Sequence, residues 1–195
     1  MNPHFIFNSI NAVQSYIFSG MKAEANIYIH SLSKLMRKSL KFSRCETISL
    51  SEEIEFLKEY MLLEQMRFDS LFEFTIKFDE TIDKDVIFIP PLVIQPIVEN
   101  AIKHAFKSMK SGGKILIDYQ VKEKLVHISV VDNGKGINQK ERNRSKDHQS
   151  LGLEIVRQRL SLINEKLNIN DAGIEIRSNA PSGTICHITL PIKNL

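Results

Sequence analysis

Apolar residues recur at steps of three and four through the first 47 positions and at steps of two in later segments. The chain therefore changes period near residue 48. In the first part, Ile6, Ile10, Val13 and Ile17 draw one helical stripe, and Ala25, Ile29, Leu32 and Met36 draw another. Asn2-Pro3 can open the first helix, because proline is tolerated in a first turn and asparagine is a good N-cap. Gly20 ends it. The second helix is expected from about Met21 to Ser43. Two helices joined by so short a turn form an antiparallel hairpin. Such a hairpin cannot bury both faces alone, which predicts dimerisation into a four-helix bundle.

Beyond Thr47 the signals are mixed. Ser49 and Glu52 stand at capping-box spacing and open a helix to about Phe68. Phe72, Phe74, Ile76 and Phe78 alternate with polar residues, the pattern of a half-buried strand. A short apolar run from Val86 to Ile89 stops at Pro90-Pro91, and a helix is expected from about Leu92 to Lys107. Strands follow at Ile115–Lys122 and Val126–Val131, then a polar loop, a helix from Leu151 to about Leu167, and strands at Ile174–Ser178 and Thr184–Leu190. Strands that arrive as hairpins favour helices layered on one face of a mostly antiparallel sheet.

Composition narrows the function classes. A net charge of +3 gives no general nucleic-acid footprint. No run reaches the roughly 20 apolar residues that span a bilayer, and the start MNPHF is no signal peptide. Two unpatterned cysteines suit a reducing cytosol, and six scattered histidines lack zinc spacing. Lys34, Arg37, Lys38, Lys41 and Arg44 recur at helical spacing. Such a stripe is either a solvated face or a docking face for an acidic partner or lipid headgroups.

Three segments can carry chemistry. In LVIQPIVENAIKHAF, Val93, Ile94, Ile97, Val98, Ala101, Ile102 and Ala105 fall on one half of a helix. Gln95, Glu99, Asn100, Lys103 and His104 fall on the other. An amide can offer a neutral oxygen to a hard cation, and a lysine can offer a point charge to phosphate. Asp132-Asn133-Gly134-Lys135-Gly136 follows the strand HISVV. It reads either as a turn or as a ligand wall, where Asp132 accepts from an amino group and the glycines admit close approach. Residues 138–150 form a polar stretch long enough for a lid, ending at Leu151-Gly152-Leu153 where a helix begins. That exit offers unpaired N–H groups to phosphate. No Walker A or dinucleotide fingerprint is present.

The order IVENAIKH, VVDNGKG, SLGLEIVRQRL resembles the N, D and G boxes of the Bergerat-fold (GHKL) ATPases, which include gyrase, the MutL repair proteins and histidine kinases. PPLVIQPIVENAIKHA and the opening NPHFIFNSINAVQSYI are similar to the LytS/YehU-type sensor histidine kinases. The resemblance covers nearly the whole chain. It implies an α+β fold, a two-layer α/β sandwich with a mixed, mostly antiparallel sheet, preceded by an α-helical hairpin. Residues 1–47 would be the dimerisation and phosphotransfer hairpin, and residues 48–195 the catalytic ATP-binding domain.

Residue by residue, the resemblance implies that Asn100 holds a Mg²⁺ bridging the ATP phosphates. It implies that Asp132 binds the adenine amino group, with Gly134 and Gly136 shaping that wall, and that Lys103 and His104 lie along the phosphates. Gly152 would sit at the rear of the lid, and His4 would accept the γ-phosphoryl group. The G region, HQSLGL, lacks the further glycine many relatives have before Leu151, and Phe5 stands where many histidine kinases have an acidic residue. The proton acceptor is thus unassigned, with Glu99 a candidate.

The activity implied is ATP- and Mg²⁺-dependent autophosphorylation of His4, then transfer to an aspartate on a response regulator, of LytTR type. The chain begins almost on His4 and has no sensing region. It is therefore expected to be a cytoplasmic part of a longer, membrane-anchored receptor, with a weakened first helix and a hairpin poorly ordered or abnormally paired. Two other readings stay open: a Bergerat ATPase or serine kinase whose ATP drives something else, and a non-catalytic dimeric interaction module.

Overall fold

The computed structural model describes residues 3–68, 71–79, 82–106, 109, 111–136, 151–179 and 181–192. For Pro3, His4, His104 and Leu151 it describes the backbone alone. Helices α1 (Pro3–Phe18) and α2 (Lys22–Phe42) form the expected hairpin, turning through Gly20 at φ +74°. A left-handed residue costs glycine nothing sterically, so the turn falls there.

The buried face of the hairpin follows the expected stripes only in part: Ala25 is buried and Val13 and Leu32 pack against the core, but the isoleucines are not its centre. Ala25, Tyr28, Leu35, Ser39 and Phe42 of α2 are buried, with Phe5 and Ser9 of α1. Ile10, Ile17 and Ile29 are exposed. The reason is a third helix, α3 (Leu50–Arg67), which offers aromatic partners. The Phe5 and Tyr60 rings lie 5.3 Å apart and the Phe42 and Phe56 rings 5.6 Å apart. Flat rings bury more area at such a contact than branched aliphatics do. Tyr16 adds an O–H bond to the Met66 carbonyl at 2.7 Å. Anchored at both ends, α1 runs as a regular helix from Pro3.

The same contact explains part of the basic stripe. Lys34 and Lys38 reach Glu59 at 2.6 and 3.1 Å, and Lys41 reaches Glu52 at 3.0 Å. The acidic surface these lysines face is α3 of their own chain. Exposed pairs like these add little stability individually, but they select a register.

Helix α3 starts as its sequence predicts. The Ser49 hydroxyl accepts from the Glu52 N–H at 3.2 Å, and the Glu52 carboxylate accepts from the Ser49 N–H at 3.3 Å. Just before it, β1 (Ile48–Ser49) pairs antiparallel with β3 (Phe88–Ile89). Two residues are too short to show a period, so this pairing was not legible in the sequence.

The main sheet contains β2 (Phe72–Phe78), β4 (Gly113–Lys122), β5 (Leu125–Asp132), β6 (Gly173–Ser178) and β7 (Thr184–Pro191), in the order β2-β4-β5-β7-β6. Only β2 and β4 run parallel; the other pairs are antiparallel. Helix α4 (Gln95–Asn100), a π-helical segment (Ala101–Ala105) and helix α5 (Leu151–Leu167) complete the described elements. Ile97, Val98 and Ile102 join Val156 and Leu160 of α5 in one core with Ile115, Ile117, Val130 and Ile188 of the sheet. This is the α+β arrangement of helices on a mixed sheet.

The expected helix from Leu92 to Lys107 is shorter and irregular. Leu92 sits at φ +57°, α4 begins only at Gln95, and Pro96 occupies its first turn. Proline lacks an N–H and belongs where none is needed. Gln95, assigned to the polar half, is buried. Among the described residues, no helix is long and apolar enough to cross a membrane.

Candidate functional site

Strand β5 carries its alternating burial to Asp132, which is only 5% exposed at the strand end. Its Oδ1 accepts from the Gly134 N–H at 2.9 Å and the Thr184 N–H at 3.2 Å. Burial pushes the carboxyl up from its ordinary value, and those two N–H bonds and a Thr184 side-chain bond oppose the shift. Asn133, next along, is structural. Its Oδ1 accepts from the Lys114 N–H at 2.6 Å and its Nδ2 donates to the Gly112 carbonyl at 2.9 Å.

The glycines of this loop mark close approaches. A Cβ on Gly134 would lie 2.3 Å from the Ala105 Cβ and 2.5 Å from the Ala105 backbone. The Lys135 N–H donates to the Ala105 carbonyl at 3.4 Å. The loop after Asp132 is thus seated on the π-helical segment that continues the Asn100 helix. π-Helical turns recur at functional sites. Gly136 adopts φ +73°, and a Cβ there would sit 3.0 Å from the Gly183 carbonyl. Gly183, at φ +103°, approaches still more closely: its Cβ would meet the Asp132 carbonyl oxygen at 2.0 Å.

Asn100 ends α4, and its Nδ2 is buried without a hydrogen-bond partner. A buried amide left unpaired costs free energy, so this donor calls for an acceptor from water or a ligand. Lys103 is exposed. His104 has its backbone in the π-helical segment, and its side chain is outside the described residues. Gly152 lies in the first turn of α5, and a Cβ there would meet Pro96 of α4 at 3.4 Å. The start of α5 therefore rests on α4. The lid assigned to residues 138–150 lies outside the described residues.

His4 falls in the first turn of α1, with its side chain outside the described residues. The helix it begins lines a cavity that Asn100 and Asp132 do not line. Phe5 and Asn8 of α1, Tyr60 and Glu64 of α3, and Glu99 and Lys103 line a cavity of about 360 Å³. Glu64 is ion-paired to Arg67, and burial holds its carboxyl above the ordinary range.

Sequence reasoning missed Gly183, Thr184 and Ala105. For the first, the signal available was Ser182-Gly183 ahead of a strand, a turn pair. Nothing in the sequence marks Ala105, whose role is to be small opposite Gly134.

Residues 90–194 match the family described as Histidine kinase-, DNA gyrase B-, and HSP90-like ATPase, and residues 1–72 match the histidine kinase family. The chain is 37% identical over 137 residues to the sensor protein LytS of Staphylococcus epidermidis, covering 70% of the chain and 23% of that protein. It is 32% identical over its whole length to LytS of Staphylococcus saprophyticus, covering 33% of that protein. The chain thus spans about a quarter to a third of these curated relatives. Among solved structures, histidine kinase ThkA in complex with the response regulator TrrA matches with a TM-score of 0.52 at 19% identity. That match covers 97% of this chain and 59% of ThkA.

Proposed function

This chain belongs to the histidine kinase-, DNA gyrase B-, and HSP90-like ATPase family, among its LytS-type sensor histidine kinases, and from that membership we propose that it autophosphorylates His4 with ATP and passes the phosphoryl group to an aspartate of a response regulator, of LytTR type. The observation that carries this reading is the seating of Gly134 on Ala105, which joins the aspartate loop to the helix of Asn100.

In this reading Asp132 accepts from the adenine amino group, and Gly134 and Gly136 keep the wall beside it thin. Asn100 would hold Mg²⁺ through its neutral side-chain oxygen, which suits a phosphate-bound hard cation, while its unpartnered Nδ2 is a donor that would suit a phosphate oxygen. Mg²⁺ supplies neutralisation of the charge on the transferring phosphate. Lys103 and His104 line the phosphates, and Gly152 closes the site at the rear of the lid.

The chemical step is a displacement. A neutral imidazole nitrogen of His4 attacks the γ-phosphorus, the bond from that phosphorus to the β–γ bridging oxygen breaks, ADP leaves, and the other ring nitrogen gives up its proton to a base, for which Glu99 is the candidate. Near neutral pH the free imidazole already carries the lone pair this requires. The protein's share is positioning and charge stabilisation.

Residues 1–47 serve as the phosphotransfer and dimerisation unit, and residues 48–195 as the catalytic domain. The exposed Phe7, Ile10, Ile17 and Ile29 support pairing of two hairpins. Such a unit works as the cytoplasmic part of a membrane-anchored receptor.

Incubation with γ-labelled ATP and Mg²⁺ tests the reading. Acid-labile, base-stable label is expected on the wild-type chain, extended N-terminally by about two heptads, and is lost in His4→Gln. Acid-stable label would point to a serine kinase. Absence of Mg²⁺-dependent nucleotide binding would point to a non-catalytic module.

A further inference from the structure

Helix α4 starts without a cap of its own. Ile94 occupies the N-cap position and no side chain of that segment satisfies the first N–H groups. The turn just before it is held from another helix. Glu53, on α3 and 0% exposed, takes the Leu92 N–H on its Oε2 at 3.2 Å, and the nearby Ile94 N–H also favours its charged form. Between them the backbone passes through Leu92 at φ +57°. A non-glycine residue holds that left-handed conformation only where its surroundings fix it.

We infer that Glu53 is a positioning residue for nucleotide binding: its carboxylate fixes the Leu92–Ile94 turn and, with it, the start of the helix that carries Asn100. The inference rests on the reading of Asn100 as part of the nucleotide site. The other oxygen of Glu53, Oε1, is buried without a partner, as is the hydroxyl of Tyr119 on β4. Tyr119 and Arg159 of α5 are the titratable groups that interact with the carboxylate from the elements packed around it. The turn itself presents backbone N–H groups. Three residues further along α3, Phe56 carries the contact to Phe42 of the hairpin. The carboxylate thus links the helix on which the hairpin packs to the helix of the nucleotide site.

The arrangement makes positioning depend on charge. A carboxylate accepts from N–H groups roughly twice as strongly as a neutral carboxyl does. Burial raises the Glu53 carboxyl to about 7, with the Leu92 and Ile94 N–H groups and Arg159 acting against that rise. Protonation therefore loosens the turn within the physiological range, and nucleotide affinity falls as pH drops through about 7.

The test is titration of Mg²⁺-ADP binding from about pH 6 to about pH 8.5, comparing wild type with Glu53→Gln. Titration of the nucleotide is common to both and cancels in their ratio. Wild type is expected to bind about three to ten times more tightly than Glu53→Gln at the alkaline end, with the ratio falling towards one at the acid end. A ratio constant with pH overturns the inference. If Glu53→Gln does not fold, Arg159→Gln carries the test, because losing that cation should move the wild-type midpoint upward. An unmoved midpoint overturns the inference.

Amide hydrogen exchange at Leu92 and Ile94 separates the two levels. Wild type that binds no nucleotide at any pH, yet protects both amides more at high pH, overturns the site reading and, with it, the coupling to binding. Wild type that binds nucleotide with both amides unprotected overturns the role of Glu53 alone.

Discussion

Gly134 lies against Ala105 with no room for a methyl group: a Cβ on the glycine would stand 2.3 Å from that of the alanine. The backbone of Ala105 is as close, so no side-chain rotation can relieve the contact. Gly134→Ala must push the aspartate loop away from the π-helical segment. The expected cost is about 1–3 kcal/mol of stability and at least about a ten-fold loss of nucleotide affinity. Thermal melting and nucleotide titration check this against Gly173→Ala, where nothing lies within 4 Å of the added carbon.

Asp132 and Asn100 are expected to fail in different ways. Asp132→Asn keeps an oxygen for the Gly134 and Thr184 N–H groups, so the fold survives. It replaces an acceptor with a donor where adenine is proposed to bind, and binding should weaken by about 30-fold or more with or without Mg²⁺. Asn100→Ala removes an amide whose Nδ2 has no partner, so its melting temperature should hardly change. Its nucleotide binding should lose its dependence on Mg²⁺. Equal behaviour of the two variants in metal-free buffer would contradict the assigned roles.

Glu53 also makes stability depend on pH in a direction opposite to that of most carboxylates. Its folded-state value, about 7, lies above the ordinary 4.5. Between these values the folded chain holds a proton that the unfolded chain has released, so stability falls as pH rises through the window. Below about 4.5 this cost is absent, and above about 7 it is complete, at about 3 kcal/mol. Glu53→Gln removes it. The variant should therefore gain about 6–10 °C relative to wild type between about pH 5 and about pH 8. Scanning calorimetry at both ends reads the difference, and parallel pH profiles would refute it. Stability given up for a charged hydrogen-bond acceptor at a site is a familiar compromise.

The sequence was informative where a local rule suffices. The capping box at Ser49 and Glu52 placed the start of α3 to the residue, and the alternation from Phe72 to Phe78 gave β2. The ordered motifs around Asn100, Asp132 and Gly152 announced the family, because residue type and spacing survive in a linear string. Less was legible where the outcome depends on a partner. The isoleucines of α1 and α2 promised one apolar face, and the rings of α3 selected another, along Tyr28, Leu35 and Phe42.

What the amino-acid string determined by itself was the period of each element, the turn residues and the chemical groups available for a nucleotide. What only the tertiary structure decided was which groups meet: Glu53 under the turn at Leu92, Gly134 on Ala105, Gly183 against the Asp132 carbonyl. Periodicity is a property of neighbours within a turn or a pleat, whereas burial of a carboxylate or exclusion of a Cβ arises between segments distant along the chain. Those contacts exist only once the sheet and helices have closed on one another.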